Sequence, residues 1–194
     1  MTTLNKQNPL DMDYAGTVEW AQNYIENEEK LGHVLKKPSP VLLTTIYAQM
    51  VVEGSIVAGK YVKLACERHL KDLKRSEEDP NYPWKFDEYK AWRPIRFVES
   101  KCKPSKGDFN KLVMQPWQHF IVGCMFGWVS KTSGKRRFRE SLIFLGRKNG
   151  KTTLESGLAD YMVGYDGENG PNVYFLANSQ KQASILYEEA RNMI

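Results

Sequence analysis

Residues 138–161 read FRESLIFLGRKNGKTTLESGLADY, and this stretch decides the fold class. The apolar run at 142–145 predicts a strand that is covered on both faces. After a loop, apolar side chains repeat at helical spacing at Leu154, Leu158, Tyr161 and Met162. A strand, a loop and an amphipathic helix in unbroken succession predict an α/β fold.

The loop between this strand and this helix, residues 146–153, has the composition of a phosphate-binding loop. Its backbone N–H groups and the positive end of the following helix converge on a space of anion size. Gly150 lets the backbone approach phosphates, Lys151 can reach their β and γ oxygens, and the Thr152 hydroxyl is placed to ligate a magnesium ion. The match to G-x-x-x-x-G-K-[ST] is imperfect, because Leu145 stands where the first glycine belongs. For the motif alone, a basic turn that caps a helix stays the alternative.

Length and composition indicate a globular chain. Its 194 residues suit one domain or a domain with an extension, and a hydrophobic content of 41% is enough for a core. No apolar run has membrane-spanning length and the first residues lack a hydrophobic signal region, so we expect a cytosolic protein. Cys66, Cys102 and Cys124 are predicted to be reduced thiols. Cys66 and His69 form a C-x-x-H without a second pair of ligands, which favours two ordinary helix residues over a zinc site.

Positive charge is concentrated before and within the loop. Residues 101–151 carry twelve Lys and Arg against two Asp and Glu, a net charge of +10, whereas the whole chain has +5. Such a field attracts polyphosphate, either a nucleotide or a nucleic-acid backbone, over a long range and in a salt-sensitive way. A solvated hairpin is an equally good interpretation of the cluster at its centre, which consists of Lys131, Lys135, Arg136, Arg137 and Arg139.

Apolar periodicity and terminal residues predict a series of helices in the first half of the chain. The arm 1–37 is polar and carries a helical stretch at 18–31. Ser39 and Pro40 begin a helix that ends at Gly54. Further helices are predicted at 60–75, with one apolar face, and at 87–98, with a bend at Pro94. Residues 38–108 are therefore expected to form a helical N-terminal region.

Pro116 is predicted to open another helix, and Gln118 is its candidate functional residue. Gln118 lies off the apolar face of this helix. Its amide presents a donor and an acceptor, as the edge of adenine does, so a glutamine upstream of a phosphate loop can bind that base. A glutamine on the polar face of an amphipathic helix usually binds nothing, and this alternative stays open. The apolar face consists of Trp117, Phe120, Ile121, Cys124 and Met125.

Downstream of the loop helix, the sequence predicts a second strand and a last helix. Residues 172–177, NVYFLA, alternate as a strand does, and they follow a turn at 166–171. Asn178 or Ser179 can cap a helix that runs to the end of the sequence. This order of elements predicts two parallel strands with a right-handed crossover, which is the beginning of a nucleotide-binding sheet.

The chain resembles the large terminase subunit of tailed bacteriophages and prophages. The resemblance extends from EGSIVAGKYVKLACERHLKDL through LVMQPWQHFIVGCMFGW and RRFRESLIFLGRKNGKTT to VYFLANSQKQASILYEEARNMI. Its most specific part is RKNGKT, preceded by the helix with the W-Q pair and followed by A-x-x-x-x-Q-A. The leading glycine of the phosphate loop is commonly missing in such proteins. The departure at Leu145 therefore favours this family over other P-loop enzymes.

The resemblance implies a role for each residue of the loop. Gln118 would bind adenine, Lys151 the phosphates and Thr152 the magnesium ion, while Arg147 would stabilise charge on the transferred phosphoryl group. Arg147 and Lys151 would thus be the catalytic residues. Gln182 and Ala183 fall in a motif that links nucleotide state to DNA binding in related translocases. The full set of expected nucleotide-binding residues is Gln118, Gly146, Arg147, Lys148, Asn149, Gly150, Lys151, Thr152 and Thr153.

The resemblance also implies a fold, cofactors and partners. The fold class is α/β, in which an N-terminal α-helical extension precedes the start of a P-loop NTPase parallel sheet, and residues 109–194 would be the first part of that ATPase domain. The cofactors would be ATP and Mg²⁺. The partners would be double-stranded phage DNA, a portal protein, a small terminase subunit and further copies of the chain in a ring, in the cytoplasm of a bacterial host.

Two features of a terminase cannot be placed in this sequence. One is an aspartate with a neighbouring glutamate at the end of a later strand, which would hold magnesium and orient the attacking water. The other is a nuclease domain with clustered acidic ligands. We therefore expect a truncated N-terminal part of a terminase, and the sequence leaves open whether it is an enzyme by itself. The alternatives are a helicase-like nucleic-acid ATPase fragment and a truncated, non-catalytic DNA-binding protein.

Overall fold

A computed structural model describes residues 40–104 and 112–193 of the chain. Contacts divide the chain into unit 1, Met1–Trp92 with Gln115–Phe138, and unit 2, Arg93–Met114 with Arg139–Ile194. The described elements are, in chain order, α1 (Pro40–Glu53), α2 (Lys60–Glu78), β1 (Trp84–Phe86), α3 (Glu88–Lys101), α4 (Pro116–Gly127), β2 (Trp128–Ser130), α5 (Lys151–Gly164) and α6 (Gln180–Met193). None of the described helices is long and apolar enough to cross a membrane.

Helices α1, α2 and α4 form the core of unit 1. Pro40 begins α1, and Gly54 ends it with a φ of 85°, as the sequence predicts. The helices α1 and α4 approach closely, because a Cβ atom at Gly123 would lie 2.3 Å from the Oγ1 atom of Thr44. That hydroxyl donates a hydrogen bond of 3.0 Å to the carbonyl of His119. The buried side chains between the helices are Tyr47, Ala48, Val51, Ile56, Cys66 and Phe120.

The imidazole of His69 lies at the centre of unit 1 and is only 2% exposed. The indole Nε1–H of Trp128 donates to its Nδ1 atom at 3.1 Å, so the proton of the neutral ring is on Nε2. Nε2 lies 3.3 Å from the Oγ1 atom of Thr45 and donates to it. Burial lowers the pKa of His69 to about 4; the charge of Arg68 also lowers it, and that of Asp72 raises it. The C-x-x-H pair is thus part of the core, and the described residues contain no group of three or more potential metal ligands of the His, Cys, Asp or Glu type.

The strands β1 and β2 form an antiparallel pair that the sequence did not predict. Trp84 is opposite Ser130, and Phe86 is opposite Trp128. The aromatic rings of Phe86 and Trp128 meet edge to face at 5.4 Å. Gly127 is required beside this pair, because a Cβ atom there would lie 2.6 Å from the ring of Phe86. Both strands are three residues long, which is too short for the sequence to show alternation.

Arg137 is held against this small sheet. Its guanidinium forms an ion pair of 2.6 Å with Asp72 and donates to the hydroxyl of Tyr82 at 2.9 Å. It also lies over the rings of Phe138 at 5.0 Å and Trp128 at 5.6 Å. Arg137 is therefore not available to bind phosphate with the rest of the predicted cluster, because Asp72 already neutralises its charge within unit 1. Arg136 lies over the ring of Phe126 at 4.9 Å, whereas Lys135 and Arg139 are exposed.

Unit 2 is built on helices α5 and α6 and the second part of α3. A Cβ atom at Gly157 would come within 3.3 Å of Val98, so α5 and α3 pack closely. The Oγ atom of Ser156 donates to the carbonyl of Leu186 at 3.1 Å and ties α5 to α6. The fully or nearly fully buried side chains are Ile95, Val98, Cys102, Leu154, Tyr161, Ala190 and Met193.

The two predicted strands of unit 2 are not assigned as strands. Residues 142–145 and 172–177 alternate between half-buried and exposed side chains. Leu142 and Phe144 are 94% and 93% exposed, and Tyr174 and Leu176 are 79% and 90% exposed. The prediction that 142–145 is covered on both faces is therefore wrong. The α/β class is consistent with the structure, but the sheet in the described residues is antiparallel and a parallel P-loop sheet is not shown.

Two sequence predictions concern residues outside the described ranges. The arm 1–37 with its helical stretch is one of them. The boundary between 108 and 109 is the other, because residues 105–111 are not described. The division into an arm, a helical region and an ATPase part stays a prediction.

The buried His69 makes the stability of unit 1 depend on pH. Its pKa of about 4 lies below the ordinary value of 6.5, so between these values the unfolded chain binds a proton that the folded chain does not. Stability is unaffected by this group above pH 6.5 and is lost as the pH falls, by about 1.4 kcal/mol per pH unit within the window. Urea unfolding at pH 7.0, 6.0 and 5.0 measures this slope.

The variant His69→Gln is the matched control, because an amide retains a donor and an acceptor but does not titrate. We expect it to be less stable at pH 7 and to have a shallower slope between pH 6.5 and 5.0. Equal slopes in the two proteins would contradict the assignment of the low pKa to His69.

Candidate nucleotide-binding site

The loop 146–150 connects residues 141–145 to helix α5. Gly150 is the N-cap of α5 and has a left-handed backbone, with φ 66° and ψ 17°. Lys148 also has a positive φ, 68°, and it is the sole residue other than glycine with one in the described ranges. For a residue with a Cβ atom this conformation costs about 1–2 kcal/mol. Backbone strain of this size is found most often at binding and catalytic sites.

Asn149 bridges the loop with its side chain. Its Nδ2 atom donates to the carbonyl of Gly146 at 3.2 Å and lies 3.3 Å from the carbonyl of Arg147, to which it also donates. In sequence, Asn149 stands between Lys148 and Gly150, the two residues of positive φ. Its side-chain hydrogen bonds close the turn that these residues form. The sequence predicts Asn149 as a loop member that contacts nucleotide, and it gives no sign of these internal hydrogen bonds.

The N-terminus of α5 is open to an anion. The N–H of Leu154 bonds to the carbonyl of Gly150 at 3.0 Å, which begins the helix and leaves the N–H groups of the first turn directed outward. The first turn contains no Asp or Glu, and Gly150 provides no side-chain cap. The positive end of the helix is thus not neutralised by a carboxylate of its own, and it attracts negative charge.

Charged and hydroxyl residues occupy the loop and the first turn of α5. Lys151 is the first residue of α5 and is exposed, as is Arg147. Thr152 and Thr153 follow in the first turn and are half-buried. Two cations, the first-turn N–H groups and a hydroxyl together make a donor set that fits a polyphosphate. A single threonine hydroxyl fits magnesium only if phosphate oxygens and waters complete the octahedral shell, which is how Mg²⁺ is usually bound beside a nucleotide.

Gln118 is buried in unit 1, with 7% of its surface exposed. Its Oε1 atom accepts the N–H of Gln115 at 2.7 Å, as part of a reciprocal cap at the start of α4. The expectation that Gln118 lies off the buried side of its helix is therefore wrong, because Pro116, Gln118, His119, Phe120 and Val122 are all buried on α4. The loop residues 146–153 come together in unit 2, whereas Gln118 belongs to unit 1.

Asp160 is a further ionisable group of α5 that the sequence did not single out. Its Oδ2 atom is buried and has no hydrogen-bond partner among the described residues. Burial raises the pKa of this carboxyl to about 6. Asp160 is next to the buried Tyr161 in α5, and periodicity alone does not reveal that its Oδ2 atom is enclosed.

Comparison with known families adds an independent observation. Residues 116–194 match the model of the family described as terminase large subunit, ATPase domain. Over this stretch, which is less than half of the chain, the protein is similar to the terminase ATPase family. The matched residues include helix α4, the loop and both helices α5 and α6. The searches of curated proteins and of solved structures found no significant match.

The family confirms the resemblance seen in the sequence, over residues 116–194. It identifies this part of the chain as a terminase-type ATPase domain, and it implies the use of a nucleotide. It does not assign individual residues. The roles of Gln118, Arg147, Lys151 and Thr152 therefore stay predictions.

Two substitutions of Gln118 distinguish its role in the helix cap from a role in binding a nucleotide base. Gln118→Ala removes the acceptor for the N–H of Gln115 and should lower the free energy of unfolding by about 1 kcal/mol. Gln118→Glu keeps an acceptor at the third helical position and should lose less of the cap, but its carboxylate is buried at this position and carries a desolvation cost. Urea unfolding of both variants measures this difference.

The same pair of variants tests the contact with adenine. A carboxylate in place of the amide removes the donor that the base edge requires, so Gln118→Glu should lose the preference for ATP over GTP while it stays folded. A preference that is unchanged in a stable Gln118→Glu protein would show that Gln118 is a helix cap and no more.

Proposed function

We propose that this chain provides the ATP-binding part of a large terminase subunit, and that the complete protein uses ATP to package double-stranded phage DNA. The observation that carries the proposal is the loop 146–153 at an uncapped helix N-terminus, within a stretch that is similar to the terminase ATPase family. The loop has the Walker A type of sequence, with Lys151 and Thr152 after Gly150.

Each loop residue acts through its charge or its hydrogen bonds. The ammonium of Lys151 binds the β and γ phosphate oxygens, and the first-turn N–H groups of α5 bind the others. The guanidinium of Arg147 can bind two phosphate oxygens in one plane, which stabilises the charge that develops on the transferred group. The Thr152 hydroxyl would hold a magnesium ion together with the phosphates, and that ion would help to neutralise this charge.

The parallel sheet of a P-loop fold belongs to the same proposal. Residues 142–145 and 172–177 would be two of its strands, since both segments alternate and each leaves one apolar row exposed. The remaining parts of the proposal rest on the resemblance alone. They are nuclease activity, a portal protein, a small terminase subunit, a ring of copies and the cytoplasm of a bacterial host.

ATP binding is tested with Lys151→Ala. The loss of an ammonium that binds phosphate should weaken ATP affinity about tenfold or more, because a hydrogen bond to a charged group is among the stronger ones. Since Lys151 is exposed, helical content and thermal midpoint should not change. Isothermal titration with Mg-ATP measures the affinity, and Lys181→Ala removes an exposed lysine of α6 as the matched control. Equal affinities of Lys151→Ala and Lys181→Ala would contradict the proposal.

The same proteins test hydrolysis. Phosphoryl transfer requires a group that positions the attacking water, in addition to charge stabilisation. The loop residues supply the charge stabilisation, so we expect this chain to release phosphate at background rate. Turnover that disappears in Lys151→Ala would show that a carboxylate of this chain, among Glu155, Asp160, Asp166 and Glu168, positions the water.

Binding of DNA is tested through its dependence on salt. Lys135 and Arg139 are two of the exposed cations of the basic segment, whereas Arg137 is occupied by Asp72 and is unsuited to the test. Each phosphate contact adds about 0.9 to the slope of log affinity against log salt, so Lys135→Ala with Arg139→Ala should lower the slope by up to about two units. The control is Lys63→Ala with Lys181→Ala, which removes the same charge outside the segment. Equal slopes for the two double variants would place the DNA contact elsewhere.

A further inference from the structure

The side chain of Asn149 determines which way two peptide groups of the loop point. Its Nδ2 atom donates to the carbonyl oxygens of Gly146 and Arg147. There is no cis peptide bond in the described chain, and in a trans peptide the N–H points away from the carbonyl of the same group. The N–H groups of Arg147 and Lys148 therefore face away from the Asn149 amide.

This arrangement separates acceptors from donors. A carbonyl oxygen that faces a phosphate repels it, whereas an N–H attracts it. Asn149 holds two carbonyl oxygens on one side of the loop and occupies them, so the opposite side presents N–H groups. The N–H groups of Arg147 and Lys148 form no hydrogen bond to a backbone carbonyl of the described residues, which leaves them available to an anion.

The backbone conformation of the turn requires interactions that hold it, such as these two hydrogen bonds of Asn149. Lys148 has a φ of 68° and Gly150 a φ of 66°, on either side of Asn149. Gly150 adopts this conformation freely, but Lys148 does not, so the turn needs interactions that hold it. A Cβ atom at Gly146 would lie 3.4 Å from Nδ2, which is an ordinary van der Waals distance, so these hydrogen bonds do not depend on a glycine at that position.

From these contacts we propose that Asn149 is a positioning residue that forms the phosphate-binding loop before nucleotide arrives. The inference rests on the proposed binding of ATP at residues 146–153, and it assigns to Asn149 an internal role in place of a direct contact with nucleotide. A loop that is already ordered loses less conformational freedom on binding, so its affinity for the phosphate chain is higher.

The test compares ATP, inorganic tripolyphosphate and adenosine as ligands of Asn149→Ala. Removal of two ordinary hydrogen bonds from the loop should weaken binding of both ATP and tripolyphosphate by the same factor, about tenfold. Adenosine affinity should not change. Asn149→Ser, whose hydroxyl can donate one hydrogen bond, should recover part of the loss. Asn178→Ala removes an exposed amide of the same unit as the control.

Amide hydrogen exchange without nucleotide gives a second readout that does not depend on affinity. In Asn149→Ala, the amides of residues 147–150 should exchange faster than in the wild type, while the circular dichroism spectrum and the exchange within α5 and α6 stay the same. Wild-type exchange in the loop together with wild-type tripolyphosphate affinity would overturn the inference but leave ATP binding intact. Absence of Lys151-dependent ATP binding in the wild type would overturn both.

Discussion

Unit 1 depends on the hydrogen bonds and ring contacts of the neutral, buried imidazole of His69. It accepts from Trp128 on β2 and donates to Thr45 on α1, and its ring meets Phe86 of β1 and Phe120 of α4 edge to face. One side chain of α2 thus connects with every other element of the core of this unit. Because both ring nitrogens have partners, the ring can be buried without the large cost of an unsatisfied polar group. This accounts for a histidine at a position where a helix would ordinarily present an aliphatic residue.

The loop of unit 2 has the opposite character. Its charged residues are exposed, its backbone is strained at Lys148, and the helix that follows has neither a side-chain cap nor an acidic first turn. None of these features stabilises the folded chain. An anion at the helix N-terminus would compensate for the missing cap and the exposed cations, since it would accept from the first-turn N–H groups and neutralise the nearby charges. The geometry of the loop and the family match therefore lead to the same ligand class.

The helices of this protein could be predicted from sequence because their signals are local. Pro40, Gly54, Pro116 and the spacing of Leu154, Leu158 and Tyr161 mark helix ends and faces within a few residues. The strands could not be predicted in the same way, because a strand forms only where a second segment pairs with it. Residues 142–145 and 172–177 have the composition of strands without a ladder in this structure, and Trp84–Phe86 pairs with a segment more than forty positions away.

The same distinction between local and long-range signals applies to the residues of the candidate site. The sequence brings residues 146–153 to the start of a helix, because these residues are contiguous. It extends the loop too far, since the loop ends at Gly150 and residues 151–153 form the first turn of α5. It misplaced Gln118, since α4 is buried on nearly all sides and has no polar face to which a glutamine could be assigned. It counted Arg137 as a free cation, because only the fold reveals Asp72 and the aromatic rings that enclose it. The left-handed backbone at Lys148 could not be predicted from the residue type, because that conformation is rare for lysine.

The central claim is that phosphate binds at the backbone of the loop, and amide chemical shifts of uniformly ¹⁵N-labelled protein measure this most directly. On titration with Mg-ATP, the account predicts that the largest shifts occur at the amides of Arg147, Lys148, Lys151 and Thr152, with no shift in α2. Shifts that are absent from the loop at saturating Mg-ATP, or that occur chiefly around α2, would contradict it.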